Sequence, residues 1–359
     1  MIMNRVLHIA KNETRIIETP IPKPAENFVL VRQVYAPNCI EHRVYKTGFY
    51  EWHESPTHCG HEGVGEIWDI GPGVEGFEKG DRVIIFQGWP CGDCYVCDRG
   101  LSPTHCADLK GPKDIEARNN SQSGGAGFSE YRLAPVDMVS KLPDDLDFKY
   151  AAAGNCLIGC TYSAMRDHHI GPDHYCLIGG VGFVGHATLV NLKHRGAKTI
   201  VLGRHEGRMQ TAKELGADIV VNPEDPDWQE QIRDFTPRGQ GVDFAFECSG
   251  FPYYQQKCLD MLRPYGTLVL LGYAADQGKE LTWALNTEYG LCWHHKTITA
   301  HFDVNSGHRQ DILQTLRDPW IQKMVDRLVT HIMPMSKASE AFELLNQKKA
   351  GKIYFDPRA

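Results

Sequence analysis

Cys176-Leu177-Ile178-Gly179-Gly180-Val181-Gly182-Phe183-Val184-Gly185 is the stretch on which the fold of this 359-residue chain turns. Residues 176–180 read as a buried strand, and residues 187–194 beyond them as a helix. Between the two, Gly180-Val181-Gly182-Phe183-Val184-Gly185 fits G-x-G-x-x-G. The first glycine of such a loop makes the tight turn and the second lets backbone approach a pyrophosphate. The third lets helix and strand pack closely, while the helix N-terminus attracts the negative charge. Gly180, Gly182, Phe183, Val184 and Gly185 are therefore expected to bind a dinucleotide.

Downstream the alternation continues. Strands are expected at 199–202, 219–221, 242–247 and 267–271, with a helix over 208–215. Short apolar strands alternating with helical segments predict a parallel α/β sheet. The strand after the loop ends near Gly203, where NAD-preferring sites carry Asp or Glu for the ribose 2′-OH. Glycine leaves room there for a 2′-phosphate. Arg204, His205 and Arg208 follow, and a guanidinium can hold that phosphate bidentately. NADP(H) is thus favoured over NAD(H); the alternative is a solvated Arg204 and use of either coenzyme.

Upstream, residues 1 to about 155 read mainly as short strands and loops, with Pro20, Pro22 and Pro24 forbidding a helix between two apolar runs. Glycines at 60, 63, 65, 71, 73, 76 and 80 imply tight turns. Residues 119–127 read as a polar, flexible loop, near a ligand or simply on the surface. Cys91-x2-Cys94-x2-Cys97-x8-Cys106 places four thiols on one loop, enough to surround Zn²⁺ tetrahedrally. A redox-sensitive or merely buried set is the alternative. His61-Glu62 offers a second metal position, so one stretch suggests both a closed and an open zinc site. After about residue 303 the α/β pattern breaks, with an amphipathic helix over 337–346 and a last strand near 352–355.

Composition narrows the class. The length suits two domains. A net charge of −7 without single-sign blocks argues against nucleic-acid binding. Neither a signal-peptide pattern nor an 18-residue apolar span is present, so no membrane partner is expected. Twelve cysteines then read as a reduced, cytoplasmic inventory. His168-His169 and His294-His295 read as surface or packing pairs, and Cys59, Cys176, Cys248, Cys258 and Cys292 as buried thiols.

Taken together, the His-Glu turn and the glycine-rich loop resemble those of the zinc-dependent medium-chain dehydrogenases/reductases, the alcohol and polyol dehydrogenase family. The resemblance extends through Gly127-Phe128-Ser129-Glu130-Tyr131, Ala212-Lys213-Glu214-Leu215-Gly216-Ala217-Asp218 and Phe246-Glu247-Cys248-Ser249-Gly250. It continues through Leu262-Arg263-Pro264-Tyr265-Gly266 to Lys352. It implies an α/β protein: a GroES-like β-barrel catalytic domain with an inserted Rossmann doubly wound parallel sheet, and a substrate cleft at their junction. The implied boundaries are 1–156 for the catalytic domain, 157–302 for the Rossmann domain and 303–359 for the return to the catalytic domain. A homodimer or homotetramer joined through the Rossmann sheets is also implied.

Carried over by position, the catalytic zinc ligands are Cys39, His61, Glu62 and Cys156, with Cys160 a neighbouring candidate. Glu62 either coordinates or sits just behind the metal. Cys91, Cys94, Cys97 and Cys106 carry over as the structural zinc site, its last spacer one residue longer than usual. One departure stands out. The family usually has Ser or Thr two residues after the Cys39 position, relaying the alcohol proton, and Asp three residues after it; this chain has Glu41 and His42. Glu41 is expected to take over the relay, passing the proton towards solvent through His42; the alternative is that Glu41 merely contacts zinc or points at the domain wall.

The implied function is hydride transfer between NADP(H) and a small secondary alcohol or ketone, a polyol, sugar or cyclitol, with zinc as Lewis acid. A reductase of conjugated C=C or C=N bonds is the first alternative, supported by the missing hydroxyl. A non-catalytic, zinc-stabilised dinucleotide-binding protein is the second.

Overall fold

Backbone pairing in the computed structural model, which describes residues 3–48, 57–273 and 291–359, separates two units. One unit joins Met1–Gly159 to Asp303–Ala359, and the other is Cys160–Phe302.

In the second unit six strands form one sheet in the order Ile219–Val221, Lys198–Leu202, Tyr175–Gly179, Val242–Glu247, Leu262–Leu270, Thr297–Ala300. Every neighbouring pair is parallel. Cys176, Leu177, Ile178, Ile200, Leu202, Ala245 and Leu268 are buried, as parallel strands covered on both faces require. The sheet reverses its order beside Tyr175–Gly179, and Gly180 leaves that strand at φ +97. The following helix, Phe183–His194, begins inside the glycine-rich motif, four residues earlier than its apolar pattern suggests. A Cβ on Gly185 would lie 2.0 Å from the Gly180 carbonyl oxygen, so only glycine fits.

In the first unit the strand Phe28–Pro37 is central. It pairs antiparallel with Gly63–Ile70, Tyr131–Pro135 and Lys352–Asp356. Phe28, Val29, Leu30 and Val31 pack with Ile67, Val83, Ile85 and Leu133 in one core cluster. A second cluster gathers Leu7, Ile9, Val44, Phe128, Phe342 and Phe355. The helix Ala338–Asn346 supplies Phe342, whose ring meets that of Phe355 edge-on at 5.8 Å. Through Tyr354↔Pro37 and Phe355↔Ala36 the C-terminal strand enters a sheet built from the N-terminal segment.

Two expectations change here. Residues 123–127 are buried rather than a surface loop. Their polar groups are met locally: Ser121 Oγ accepts from the Ser123 and Gly124 amides, and a Cβ on Gly127 would lie 2.1 Å from the Gly60 carbonyl oxygen. Cys292, expected to be buried, is exposed. No helix among the described residues is long and apolar enough to cross a membrane.

Candidate functional site

Three segments of the first unit converge on one small volume. Cys39 follows the central strand and precedes the helix Glu41–Thr47; His61 and Glu62 lead into the strand Gly63–Ile70. Cys156 lies between the turn Ala152–Gly154 and the helix Ile158–Arg166. Gly60, at φ +94 and in backbone contact with Gly127, turns the chain so that His61 and Glu62 face inward. Ligand atoms of Cys39, His61, Glu62 and Cys156 all lie within 4.8 Å of one another. Cys160 falls in the helix and outside this group.

The donor set fits a zinc ion: two thiols, an imidazole and a carboxylate. His61 Nε2 is 3.2 Å from Cys156 Sγ and 3.9 Å from Glu62 Oε1. Glu62 is fully buried. Lys352 Nζ donates to its Oε1 at 2.5 Å, whereas Oε2 has no hydrogen-bond partner among the described residues. A buried carboxylate oxygen left bare costs free energy unless a cation or donor meets it. Burial pushes the Glu62 carboxyl up to about 7 against the pull of Lys352. That pressure is relieved by added positive charge.

Glu41, the expected relay residue, lies directly against the cluster. Both of its oxygens are taken: Oε1 is 3.0 Å from His61 Nδ1, and Oε2 accepts from the Cys39 amide at 2.8 Å and Asn38 Nδ2 at 3.2 Å. Burial opposes its ionisation, yet His61 and the Cys39 amide bring the carboxyl down to about 2. The carboxylate thus contacts the two candidate ligands His61 and Cys39. His42 lies half-buried, its Nδ1 3.1 Å from the Cys39 carbonyl oxygen, and burial lowers its pKa.

The second cluster is local. Cys94 caps the short helix Tyr95–Asp98, which carries Cys97, and Cys106 follows the turn Pro103–His105. Sulfur–sulfur separations are 3.5, 3.8, 3.9 and 3.9 Å. Tetrahedral thiolates at about 2.3 Å from zinc stand about 3.8 Å apart, so the spacing fits the ion. Backbone amides of Cys91 and Gly92 point at Cys106 Sγ and Cys97 Sγ. Amide donors, that of Ala107 foremost, draw the Cys94 thiol down to about 6.

In the second unit, Gly182 starts the helix without a side-chain cap, and nothing stands within 4 Å of where its Cβ would be. The N-cap residue, Gly182, makes no side-chain hydrogen bond to the first turn that carries Phe183, Val184 and Gly185, which suits anion binding at a helix N-terminus. At the end of the next strand a Cβ on Gly203 would meet Val181 Cγ2 at 2.7 Å. The family's acidic residue therefore could not stand there without displacing Val181. Arg204 and His205 are exposed and Arg208 half-buried, with the Arg208 carbonyl 2.9 Å from His186 Nε2. Sequence reasoning missed Glu224, whose Oε1 lies 3.4 Å from Arg204 Nη1.

Residues 25–144 match the alcohol dehydrogenase GroES-like domain and residues 184–317 the zinc-binding dehydrogenase domain. Sorbitol dehydrogenase of Halalkalibacterium halodurans is 30% identical over 343 residues, covering 95% of this chain and 94% of that one. L-threonine 3-dehydrogenase of Pyrococcus furiosus is 28% identical over 358 residues, with the same coverages of 95% and 94%. An alcohol dehydrogenase structure from Thermus sp. ATN1 shares the fold at a TM-score of 0.84 and 23% identity, covering 98% of this chain and 99% of that one.

Proposed function

The chain belongs to the zinc-dependent medium-chain dehydrogenases, and from that premise we propose that it interconverts a small secondary alcohol and its ketone using NADP(H). A polyol, sugar or cyclitol is the substrate class, supported by the relative named sorbitol dehydrogenase. The observation that carries the reading is the convergence of Cys39, His61, Glu62 and Cys156 around a buried carboxylate oxygen with no partner among the described residues. Zinc held there supplies a Lewis acid for the substrate oxygen, and the nicotinamide gives or takes the hydride.

The chain's own groups prepare that site. Glu41 Oε1 takes the His61 Nδ1 proton, which fixes the tautomer and leaves Nε2 as the donor atom toward the cluster. Lys352 balances the Glu62 charge. His42, kept neutral by burial and with Nδ1 on the Cys39 carbonyl, retains Nε2 as an acceptor and is the proton-accepting residue of this proposal.

Gly203 without room for an acidic side chain, followed by Arg204, supports NADP(H). We propose a homodimer or homotetramer joined along Thr297–Ala300, the last strand in the parallel sheet, and a cytoplasmic setting that suits twelve cysteines outside any disulfide. Freshly purified protein should contain two zinc ions per chain and reduce NADP⁺ with members of a polyol, sugar and cyclitol panel. Consumption of NADPH by enals or imines, with every alcohol inert, would replace this reading by the conjugated-bond reductase.

A further inference from the structure

We infer that Glu224 sets the coenzyme selectivity of this enzyme by competing with the 2′-phosphate for Arg204. The inference rests on the proposal that Arg204 binds that phosphate. Parallel register brings the two residues together: Leu202 pairs with Val221, so the residues just beyond each strand end leave the sheet side by side. Arg204 lies two residues past its strand, and Glu224 three past its own. The Glu224 turn is built rather than loose. Asn222 Oδ1 accepts from the Glu224 amide at 3.1 Å, and the Pro223 carbonyl accepts from Lys257 Nζ at 3.3 Å and Tyr253 Oη at 3.5 Å. This places the Glu224 carboxylate 3.4 Å from the guanidinium, with the two side chains 58% and 63% exposed.

At Gly203 the chain carries no acid of its own, because Val181 fills the space a side chain would need. Glu224 supplies a carboxylate to the same corner from the neighbouring strand. A 2′-phosphate arriving there must take Arg204 from Glu224 and approach a like charge. A 2′-hydroxyl faces neither demand. Glu224 therefore narrows the preference for NADP(H). The ion pair is exposed, so its effect is modest and screened by salt.

Binary binding reads this without turnover or zinc. The probes are adenosine 2′,5′-bisphosphate and adenosine 5′-monophosphate, titrated by calorimetry at low and at high salt. Glu224→Gln should bind the bisphosphate about three- to tenfold more tightly at low salt, with less gain at high salt and monophosphate affinity within about twofold of wild type. Glu224→Ala should behave alike, which excludes a special effect of the amide. Unchanged bisphosphate affinity, or equal changes for both probes, would overturn the inference. Arg204→Ala separates the two layers. If it weakens bisphosphate binding while Glu224→Gln does nothing, the phosphate clamp stands and the competition falls. If Arg204→Ala leaves both probes unaffected, the clamp and the competition fall together.

Discussion

The two thiol-rich clusters of the first unit are built in opposite ways. Cys91, Cys94, Cys97 and Cys106 come from one loop, mostly half-buried, with backbone amides as their outer support. Cys39, His61, Glu62 and Cys156 come from separate segments, and their outer support is a pair of buried charged side chains, Glu41 and Lys352. The local cluster ties a loop to itself, so a metal held there would belong to folding. The dispersed cluster stands on a framework that other contacts already hold, so a metal held there would be free to serve chemistry.

The largest expected effect breaks the first half of that contrast. Cys97→Ser should lower folding stability by about 4 kcal/mol or more, or leave no folded protein. Cys156→Ser should abolish turnover while shifting the thermal midpoint far less. Comparable loss of stability in both variants, seen by calorimetry alongside metal analysis, would erase the division of labour.

A second test sharpens the outer support of the dispersed cluster. Glu41→Gln should weaken zinc binding about 10- to 100-fold, measured by competition with a chelator, because His61 Nδ1 loses its charged acceptor and keeps at best a neutral amide oxygen. His42→Gln should keep zinc and slow alcohol oxidation by about 10²–10⁴-fold. Zinc affinity unchanged in Glu41→Gln, with turnover collapsed, would return Glu41 to the relay role.

The last test is a control in the second unit, where the described residues form no metal cluster. Burial pulls His186 from 6.5 down to about 4. The unfolded chain therefore takes up a proton that the folded one refuses. Its contribution to stability is complete above about pH 6.5 and falls as pH drops toward 4, by up to about 3 kcal/mol. His186→Gln should flatten that decline in urea titrations of zinc-loaded protein. An identical decline in the variant would assign the acid sensitivity to the clusters instead.

What the sequence disclosed follows the same division between local and dispersed. The glycine-rich loop and the four-cysteine loop are legible because each is contiguous and its spacing is its geometry. The α/β alternation likewise marked the strand Val242–Glu247 at its true ends. Glu41 could be singled out as unusual, but nothing local tells that the helix beginning there turns its carboxylate onto His61. Glu224 was invisible because it meets Arg204 only through strand register. The polar run 119–127 misled because composition measures affinity for water, while Ser121 and close backbone contact satisfy that segment inside the protein.

The ion pair between Glu62 and Lys352 spans 290 positions, and a ribosome delivers its halves in that order. The four-cysteine loop is complete once Cys106 has emerged, and can take its ion while most of the chain is unmade. Glu62 has no such independence. Sealing its carboxylate in the interior before Lys352 arrives would leave a buried charge uncompensated. The final strand, Lys352–Asp356, brings that compensating charge in beside Pro37.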